Sequence, residues 1–557
     1  MESQPCLGLW NSADNWNPGT VPNGVADTAT FAQSAQTAIS FSDPITVGAI
    51  VFNSGASSYN FTVGPGIGLD FAGNGLTNNA VGTQNFTVTT DALGNFGTIA
   101  FSGSAIVSAR SAFNTGSGMS NGAPGGFVQF TGQASAGSGT FSNQGALVSG
   151  AKGGETDLFD NASAASATLI ANAGNAFSAE GGTIAFFGAS TADTAHIISD
   201  GGTIIGAFGG SIYFRENSSA AQADIDVISG GTWTGYGSNL YFEETASAGS
   251  ASITVDGGMG SGGINGATLS FLGSSTAGSA TIFVFQGSAD DAQAGRLFFS
   301  EDSSGGTARV ELFGGQVDFS LHNPGTVAVG SIEFDGTAYL GSINLEIGGN
   351  NFSDLFQGSM RDGGAGGGSG ASLTKVGNNA LLLTSPSYYT GGTTINSGSI
   401  NLQDRKGSAT GPGPVHVNAG GTLGGFGTVA GPITIRLDGA LSPGNFGTAR
   451  LTTRRLLTFD SGSNYVWEFN VLQRAADMIG GKGVTIVGDA KFCPSQQEGG
   501  RFPVGKVLVV LENDGPDPIN GTFSNLPDGS ITRIGGNNFQ ANYEGHDGND
   551  LTLTVVP

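Results

Sequence analysis

The chain has 557 residues, of which 98 are glycine, 38% are hydrophobic and only 11% are charged. The low charge and the 37 phenylalanines argue against a disordered acidic chain and against a flexible linker. The net charge of −24 provides no basic face for nucleic acid, and it also disfavours binding to an anionic membrane surface.

The cysteines and the hydropathy exclude two further classes of protein. Cys6 and Cys493 lie near opposite ends of the chain, so a disulfide framework is excluded, although either thiol could be free. No run of about 18 apolar residues occurs, so we expect no transmembrane helix. The first six residues have neither a basic region nor an apolar core, so no signal peptide is visible in the given chain.

Residues 1–95 are predicted to form an N-terminal cap and the first coils of a repeat structure. Trp10 and Trp16 lie six positions apart among Asn, Pro and Gly, which favours an irregular cap over a strand. Terminal units of a repeat array are expected to be atypical because they cover the open end of the core. Short runs such as Ile45–Val47 and Tyr59–Val63 are typical of strands.

Residues 96–315 carry two series of residues with a spacing of about 28, most regular between Gly181 and Phe313. The aromatic series is Phe101, Phe130, Phe159, Phe186, Phe214, Phe242, Phe271 and Phe299. The small-residue series is Ser111, Gly139, Ala167, Ala195, Ala223, Ala251, Ala280 and Ala308. A fixed period of this size predicts a solenoid, with coils that stack in register.

Apolar and polar residues alternate with period two within each repeat, which predicts strands rather than helices. Ile212 and Phe214 share one face, and Tyr213 takes the other. Propeller blades are longer, about 40 residues with four strands. We therefore predict an all-β fold: a right-handed, single-stranded parallel β-helix with an atypical N-terminal cap and a C-terminal β module.

The remaining chain divides into three predicted segments. Residues 316–370 lose the strict period and predict irregular coils, with a glycine-rich flexible loop or linker at 363–370. Residues 371–445 alternate strands with glycine turns, which predicts further β-helix coils. Residues 446–557 predict a C-terminal β module that ends in a strand at Leu551–Val556.

The segment 371–445 carries the most specific motif. LTKVGNNALLL at 373–383 and YTGGTTINSGSINL at 389–402 resemble the passenger-associated transport repeat of autotransporter-associated β-strand proteins. The stretches 417–429 and 441–445 are similar to the same family, as are the double-tryptophan N-terminus and the closing module. The resemblance implies a secreted or cell-surface bacterial passenger, since the family's repeat is thought to aid secretion of a passenger that folds outside the cell.

In that family a membrane β-barrel or a sorting tail often follows the passenger. A barrel would need at least about eight further strands of about 9–11 residues each. The chain ends at Pro557, directly after the predicted last strand. We therefore expect the given chain to be a passenger-like part without a β-barrel.

The repeat alignment also predicts which polar residues are neighbours on successive coils. Arg215 and Glu243 are one such pair, and Glu216 and Glu244 are another. Two carboxylates about 5 Å apart could attract a calcium ion, although a solvated acidic corner is the favoured interpretation of the pattern.

A second calcium candidate lies near the C-terminus. The sequence GHDGND at 545–550 resembles a calcium-binding turn of the repeats-in-toxin type, with Asp547 and Asp550 as ligands. Such turns bind calcium as arrays, and this one occurs once, so a simple hairpin turn before the last strand is the favoured interpretation. Apart from this calcium, we expect no cofactor.

No group of carboxylates with a basic residue emerges at one place of the alignment, as a polysaccharide lyase or glycoside hydrolase would need. We therefore predict a non-enzymatic structural stalk or adhesin. The alternative is a polysaccharide-binding or polysaccharide-degrading β-helix. A binding role would use the outward aromatics Tyr213, Tyr241 and Phe298, with glycans or other surface proteins as partners. The sequence leaves the ligand, the mode of anchoring and the oligomeric state open.

Overall fold

The computed structural model describes residues 8–231, 235–444 and 447–557. Its regular structure is almost entirely β-strand, with a short 3-10 turn at Ala13–Asn15. The chain forms two compact units, which we call unit 1 (1–304 and 313–316) and unit 2 (305–312 and 317–557). In the described part of the chain, no helix has the length and apolar character needed to cross a membrane.

Unit 1 is built from two parallel sheets. Strands of the first sheet are Gly24–Phe31, Ile45–Phe52, Gly68–Asn78, Thr98–Phe101, Ile106–Val107, Phe127–Phe130, Glu155–Leu158, Thr183–Phe186, Ser211–Phe214, Asn239–Phe242, Thr268–Phe271 and Arg296–Phe299. Strands of the second sheet are Ala38–Ser40, Asn60–Val63, Gln84–Val88, Ser111–Thr115, Thr140–Asn143, Thr168–Ala171, His196–Ser199, Asp224–Val227, Ser252–Val255 and Thr281–Phe285. Each strand pairs with the equivalent strand of the next coil, so the predicted parallel β-solenoid is confirmed.

The core of unit 1 is a stack of aromatic rings at the inner face of the first sheet. Phe214, Phe242 and Phe271 are fully buried, and successive ring centroids lie 4.8 and 4.9 Å apart with nearly parallel planes. These distances match the spacing of adjacent strands, since each ring belongs to one coil. The predicted inner positions of Ile212 and Phe214 are confirmed, with Tyr213 on the outer face.

One member of the predicted aromatic series is wrong. Leu158, not Phe159, pairs in register with Phe130 and Phe186 and fills the inner position. Phe159 points to the outer side, where its ring stacks on Phe187 at 4.9 Å. The spacings of 29 and 27 residues around Phe159 reflect this one-residue offset, because a shift of one residue moves a side chain to the other face.

A serine and threonine ladder, absent from our sequence predictions, links the two sheets of unit 1. Its members form single bridges between successive coils and are Ser135, Ser163, Thr191, Ser219, Ser247, Thr276 and Ser304. In each coil from Ser135 to Thr276, the hydroxyl accepts the backbone N–H two residues later at 2.9–3.1 Å. That later residue is left-handed, as at Asp193 with φ 48°, so the local hydrogen bond supports the tight turn.

Unit 2 continues the parallel architecture and adds an eight-stranded sheet. That sheet comprises Thr326–Val329, Asn344–Ile347, Ser372–Lys375, Gly392–Ile395, Val415–Val417, Ile433–Ile435, Leu457–Phe459 and Val484–Ile486. A second parallel set comprises Arg309–Phe313, Ser331–Phe334, Asp354–Phe356, Ala380–Leu383, Gly398–Asp404, Gly421–Val429, Ala440–Pro443, Arg450–Thr453, Asn464–Asn470, Met478–Gly481, Lys491–Glu498 and Val507–Asn513. A short third set comprises Gln316–Asp318, Thr337–Gly341 and Ser359–Asp362.

The end of unit 2 changes from parallel to antiparallel pairing. The antiparallel strands are Ala475–Ala476, Ile531–Ile534, Asn537–Gly545 and Asp550–Val556. They pack over a buried aromatic group that includes Trp467, Phe492 and Phe539. The predicted strands of the C-terminal module are therefore present, and antiparallel hairpins close the parallel stack.

The glycine-rich run at 363–370 is a loop, one of the two predicted alternatives, and polar side chains bind its backbone. The N–H of Ala365 donates to the Asp318 carboxylate at 2.8 Å, and the N–H of Gly366 donates to the Ser320 hydroxyl at 2.7 Å. Gly370 donates similarly to Asp362 at 3.1 Å. Composition alone suggested flexibility, but polar side chains bind the backbone of this loop within unit 2.

The N-terminal cap is confirmed as irregular and aromatic. Trp10 is buried, its ring centroid lies 4.8 Å from that of Trp16, and its Nε1–H donates to the Pro22 carbonyl at 3.0 Å. Cys6 lies outside the described residues, whereas Cys493 is a half-buried free thiol. Asn445, the last residue of the predicted 441–445 motif, also lies outside the described residues.

Candidate functional site

The outer face of the first sheet presents the predicted aromatic row. Tyr213 and Tyr241 are partners in register, and their ring centroids lie 5.1 Å apart. Ser270 takes the equivalent position on the next coil and Phe298 the one after it. The predicted alignment of all three aromatics is therefore correct, but they form a stacked tyrosine pair and a separate phenylalanine rather than a continuous row.

Arg215 joins this aromatic pair to a charged neighbour. The centre of its guanidinium lies 4.5 Å from the Tyr213 ring centroid, a distance at which a cation and an aromatic face attract each other. Its Nε also donates to the Glu243 carboxylate at 2.7 Å. The predicted Arg215–Glu243 contact between successive coils is confirmed, and it fixes the guanidinium beside the tyrosines.

Two carboxylic acids lie on the same outer face, in coils before the tyrosines. Asp157 pairs in register with Ala185, which pairs with Tyr213 on the next coil. Asp157 is only 5% exposed, and its burial, together with the nearby Glu155 charge, raises its pKa to about 8. Burial also raises the pKa of Glu155. The sequence analysis named neither residue, and its inner assignment of Phe159 would have placed Asp157 on the wrong face of the strand.

Replacing Asp157 with asparagine is expected to raise thermal stability at alkaline pH. The pKa of Asp157 rises from 3.8 to about 8 on folding, so the folded state binds its proton more tightly. This stabilisation is present at pH 4 and is lost as the pH rises through about 8. We therefore expect the Tm difference between Asp157→Asn and wild type to grow from pH 5 to pH 9 in calorimetric scans.

The exposed Asp224→Asn variant is the control for this experiment. Its Tm difference from wild type should be nearly constant over the same range. A Tm difference that is also constant for Asp157→Asn would contradict the raised pKa of Asp157 in the folded state.

The acidic corner has a structural explanation. Glu216 and Glu244 are both left-handed, with φ of 54° and 57°. The Glu216 carboxylate accepts the N–H of Gly188 at 2.7 Å, and the Glu244 carboxylate accepts the N–H of Glu216 at 3.0 Å. The predicted adjacency on successive coils is confirmed. Each carboxylate thus binds the backbone of the preceding coil, and calcium at this corner stays a prediction.

The GHDGND sequence forms the turn between the strands Asn537–Gly545 and Asp550–Val556, as the hairpin interpretation predicted. His546 Nδ1 lies 3.2 Å from Asp550 Oδ2. Asp547 adds a carboxylate, so that one ligand atom from each of the three residues lies within 4.8 Å of the others. The sequence prediction named both aspartates but did not include the histidine.

Loop tips on another side of unit 1 form an apolar ridge that the sequence did not predict. Their backbones are hydrogen-bonded in register, with Gly150 N–H donating to the Ser178 carbonyl at 3.0 Å. We call the exposed side chains beside these tips the loop ridge; they are Met119, Leu147, Phe177 and Ile205, each 52–68% exposed. Contiguous exposed apolar side chains are typical of interaction surfaces.

The transport-repeat-like segment contains a buried lysine. Lys375 is fully buried, and its Nζ donates to the carbonyls of Val376 and Gly377 and to Asn379 Oδ1. Burial lowers the pKa of Lys375 to about 8. Asp354 is also buried, and burial together with the Glu333 charge raises its pKa to about 8. Lys375 therefore acts inside unit 2 as a bridge that holds the following turn.

Comparison with known proteins agrees with the resemblance drawn from the transport repeat. No family profile matches the chain. Over 129 residues it is 36% identical to the adhesin BmaC autotransporter of Brucella suis biovar 1 (strain 1330). This match covers 22% of the chain, and the chain spans only 4% of the length of that curated relative.

Two solved structures were also found by structural comparison. The Haemophilus influenzae Hap adhesin has a TM-score of 0.27 and 10% identity, with coverage of 95% of this chain and 64% of the other. A TibC-catalysed hyper-glycosylated TibA fragment has a TM-score of 0.13 and 12% identity, with coverage of 79% and 93%. The fold defines the class as a parallel β-solenoid, and the sequence similarity is to an autotransporter adhesin, consistent with a passenger-like protein.

Proposed function

We propose that the chain is the passenger-like part of a bacterial autotransporter-type adhesin, presented at the cell surface or secreted, without catalytic activity. The sequence similarity to an autotransporter adhesin supports this class. The observation that carries the proposal is the tyrosine pair Tyr213–Tyr241, which a rigid stack of buried Phe residues presents on an outer face.

A glycan is the ligand class that this face suits best. Aromatic rings provide apolar surfaces for sugar rings, and Arg215, whose guanidinium lies over the Tyr213 ring, adds charge-assisted donors beside the tyrosine pair. Glu243 holds the guanidinium in place at 2.7 Å, which reduces the entropy that binding must overcome.

The double variant Tyr213→Ala/Tyr241→Ala should lose glycan binding. Removing both rings is expected to weaken binding at least about tenfold, since a tenfold change corresponds to about 1.4 kcal/mol. The full-length chain would be screened on a glycan array, and positive glycans would be titrated by calorimetry. Tyr236→Ala is the matched control, because Tyr236 is an exposed tyrosine of unit 1 that stacks on Phe208 away from this face. Equal binding by the wild type and the double variant would exclude the proposed surface.

A polysaccharide-degrading enzyme is the second candidate. The Glu155–Asp157 pair favours this candidate. A glycosidase needs an acid that keeps its proton near neutral pH and can donate it to the leaving group, and the pKa of Asp157 is raised to about 8. Incubation with a panel of polysaccharides would test it by the release of reducing ends or unsaturated products. Product release that Asp157→Asn abolishes would replace the adhesin proposal with an enzymatic one, whereas the adhesin proposal expects no product with either protein.

A further inference from the structure

We infer that His546, Asp547 and Asp550 form a binding site for one divalent transition-metal ion, with Zn²⁺ as its probe. The three residues belong to the last hairpin turn of unit 2. Among the residues that the structure describes, they are the only group of three His, Cys, Asp or Glu residues with ligand atoms close enough to share an ion. The site is therefore distinct from the acidic corner of unit 1.

The backbone of the turn brings the ligands together. His546 is left-handed, with φ 55°, and its Nδ1 lies 3.2 Å from Asp550 Oδ2. All three ligand atoms lie within 4.8 Å of one another. Ligands of a tetrahedral zinc ion with bonds of about 2.0–2.2 Å are about 3.4 Å apart. Small rotations of the exposed His546 and Asp547 side chains would close the remaining gap.

An independent observation at Asp550 points to a cation. Asp550 is only 1% exposed, and its Oδ1 accepts the N–H of Asn513 at 2.8 Å. Its Oδ2 makes no hydrogen bond with any residue in the described ranges, yet it faces the His546 ring. A buried carboxylate oxygen that faces only an exposed imidazole is incompletely compensated, and a cation held between the two groups would complete its coordination.

The donor set selects the class of metal. Calcium prefers six to eight oxygen ligands, whereas an imidazole nitrogen with two carboxylates suits zinc and its transition-metal neighbours. Three protein ligands with an exposed side also leave a position for water, as in open zinc sites. The inclusion of His546 therefore favours a transition metal over the calcium ion predicted for Asp547 and Asp550.

The bound ion would fasten the last hairpin to the rest of unit 2. Asp550 connects the turn to the strand Val507–Asn513 through its bond to Asn513. A metal at Oδ2 would fix the same carboxylate from its other side. Metal binding should consequently raise the thermal stability of unit 2, since an ion that binds only the folded state stabilises it by mass action.

Metal titration of the full-length chain tests this inference. After treatment with a chelator and its removal, the protein would be titrated with Zn²⁺ and Ca²⁺ separately by calorimetry, and with Co²⁺ by visible absorption. We expect one Zn²⁺ per chain, a raised Tm, and a Co²⁺ ligand-field band. His546→Ala should weaken Zn²⁺ binding at least about tenfold, as expected for loss of a ligand.

His196→Ala is the matched control. His196 also forms a surface pair with an aspartate, at 3.1 Å from Asp226, but this pair is not part of a three-ligand group within the described residues. This variant should bind Zn²⁺ like the wild type. Because Asp550 is buried, Asp550→Asn could misfold, so the exposed His546 carries the decisive variant.

Two outcomes would overturn the inference. Zn²⁺ binding that is absent, or equal in the wild type and His546→Ala, would exclude the site. Binding of Ca²⁺ in preference to Zn²⁺, unchanged by His546→Ala, would assign a calcium ion to the carboxylates instead.

Discussion

Replacing Phe242 with glutamate is expected to unfold the central coils of unit 1. Phe242 is fully buried, with its ring stacked between Phe214 at 4.8 Å and Phe271 at 4.9 Å. The substitution removes about 1.5–3 kcal/mol of side-chain burial and adds an unpaired buried charge that costs several kcal/mol more. Each coil of a solenoid is stabilised by its neighbours, so the defect should spread to the coils on both sides.

Hydrogen exchange of the full-length chain would measure this effect by segment. We expect protection to fall by several orders of magnitude in the strands Ser211–Phe214, Asn239–Phe242 and Thr268–Phe271, while the eight-stranded sheet of unit 2 keeps its protection. Phe242→Leu is the control, because it retains an apolar side chain and should cost only about 1–2 kcal/mol. Wild-type protection in Phe242→Glu would refute the assignment of this position to the core.

Replacing Lys375 with methionine should destabilise unit 2 by about 2 kcal/mol. The methionine keeps an apolar stem of similar length, but it cannot donate to the carbonyls of Val376 and Gly377 or to Asn379. The Val376 carbonyl and Asn379 Oδ1 lose their donor, at about 1 kcal/mol or more each, whereas the Gly377 carbonyl keeps a bond from the Ser397 hydroxyl.

Chemical denaturation followed by tryptophan fluorescence reports on this change, since Trp467 is buried in unit 2. Lys406→Met is the matched control, because Lys406 is an exposed lysine of the same segment. We expect the midpoint to fall for Lys375→Met and to stay within error for Lys406→Met. Equal midpoints for both variants would show that the buried ammonium contributes no stability.

The sequence predicted the repeat architecture because stacking in register imposes a strict period on buried side chains. The aromatic and small-residue series therefore gave the register of unit 1, including the adjacency of Tyr213 with Tyr241 and of Arg215 with Glu243. Phe159 was misplaced because an aromatic residue next to Leu158 satisfied the pattern equally well. Only the inward or outward direction of the side chain separates the two assignments, and composition does not encode it.

The features that sequence analysis missed depend on distances between loops and on burial. The loop ridge involves residues whose spacing varies, since only the tip hydrogen bonds bring them into register. Asp157 was not singled out, because the misassigned Phe159 gave this strand the wrong inner face, and its burial depends on the side chains of adjacent coils. A 28-residue spacing of Ser and Thr, by contrast, was present in the sequence and would have revealed the hydroxyl ladder.

Adhesion under flow tests the central proposal most directly. Micrometre beads that carry the covalently coupled chain would be perfused over cultured epithelial cells, with albumin-coated beads as the reference. We expect the chain to retain beads at least about tenfold better than albumin, with Tyr213→Ala/Tyr241→Ala close to albumin and Tyr236→Ala close to the wild type. Retention of wild-type beads no greater than that of albumin beads would contradict an adhesin function.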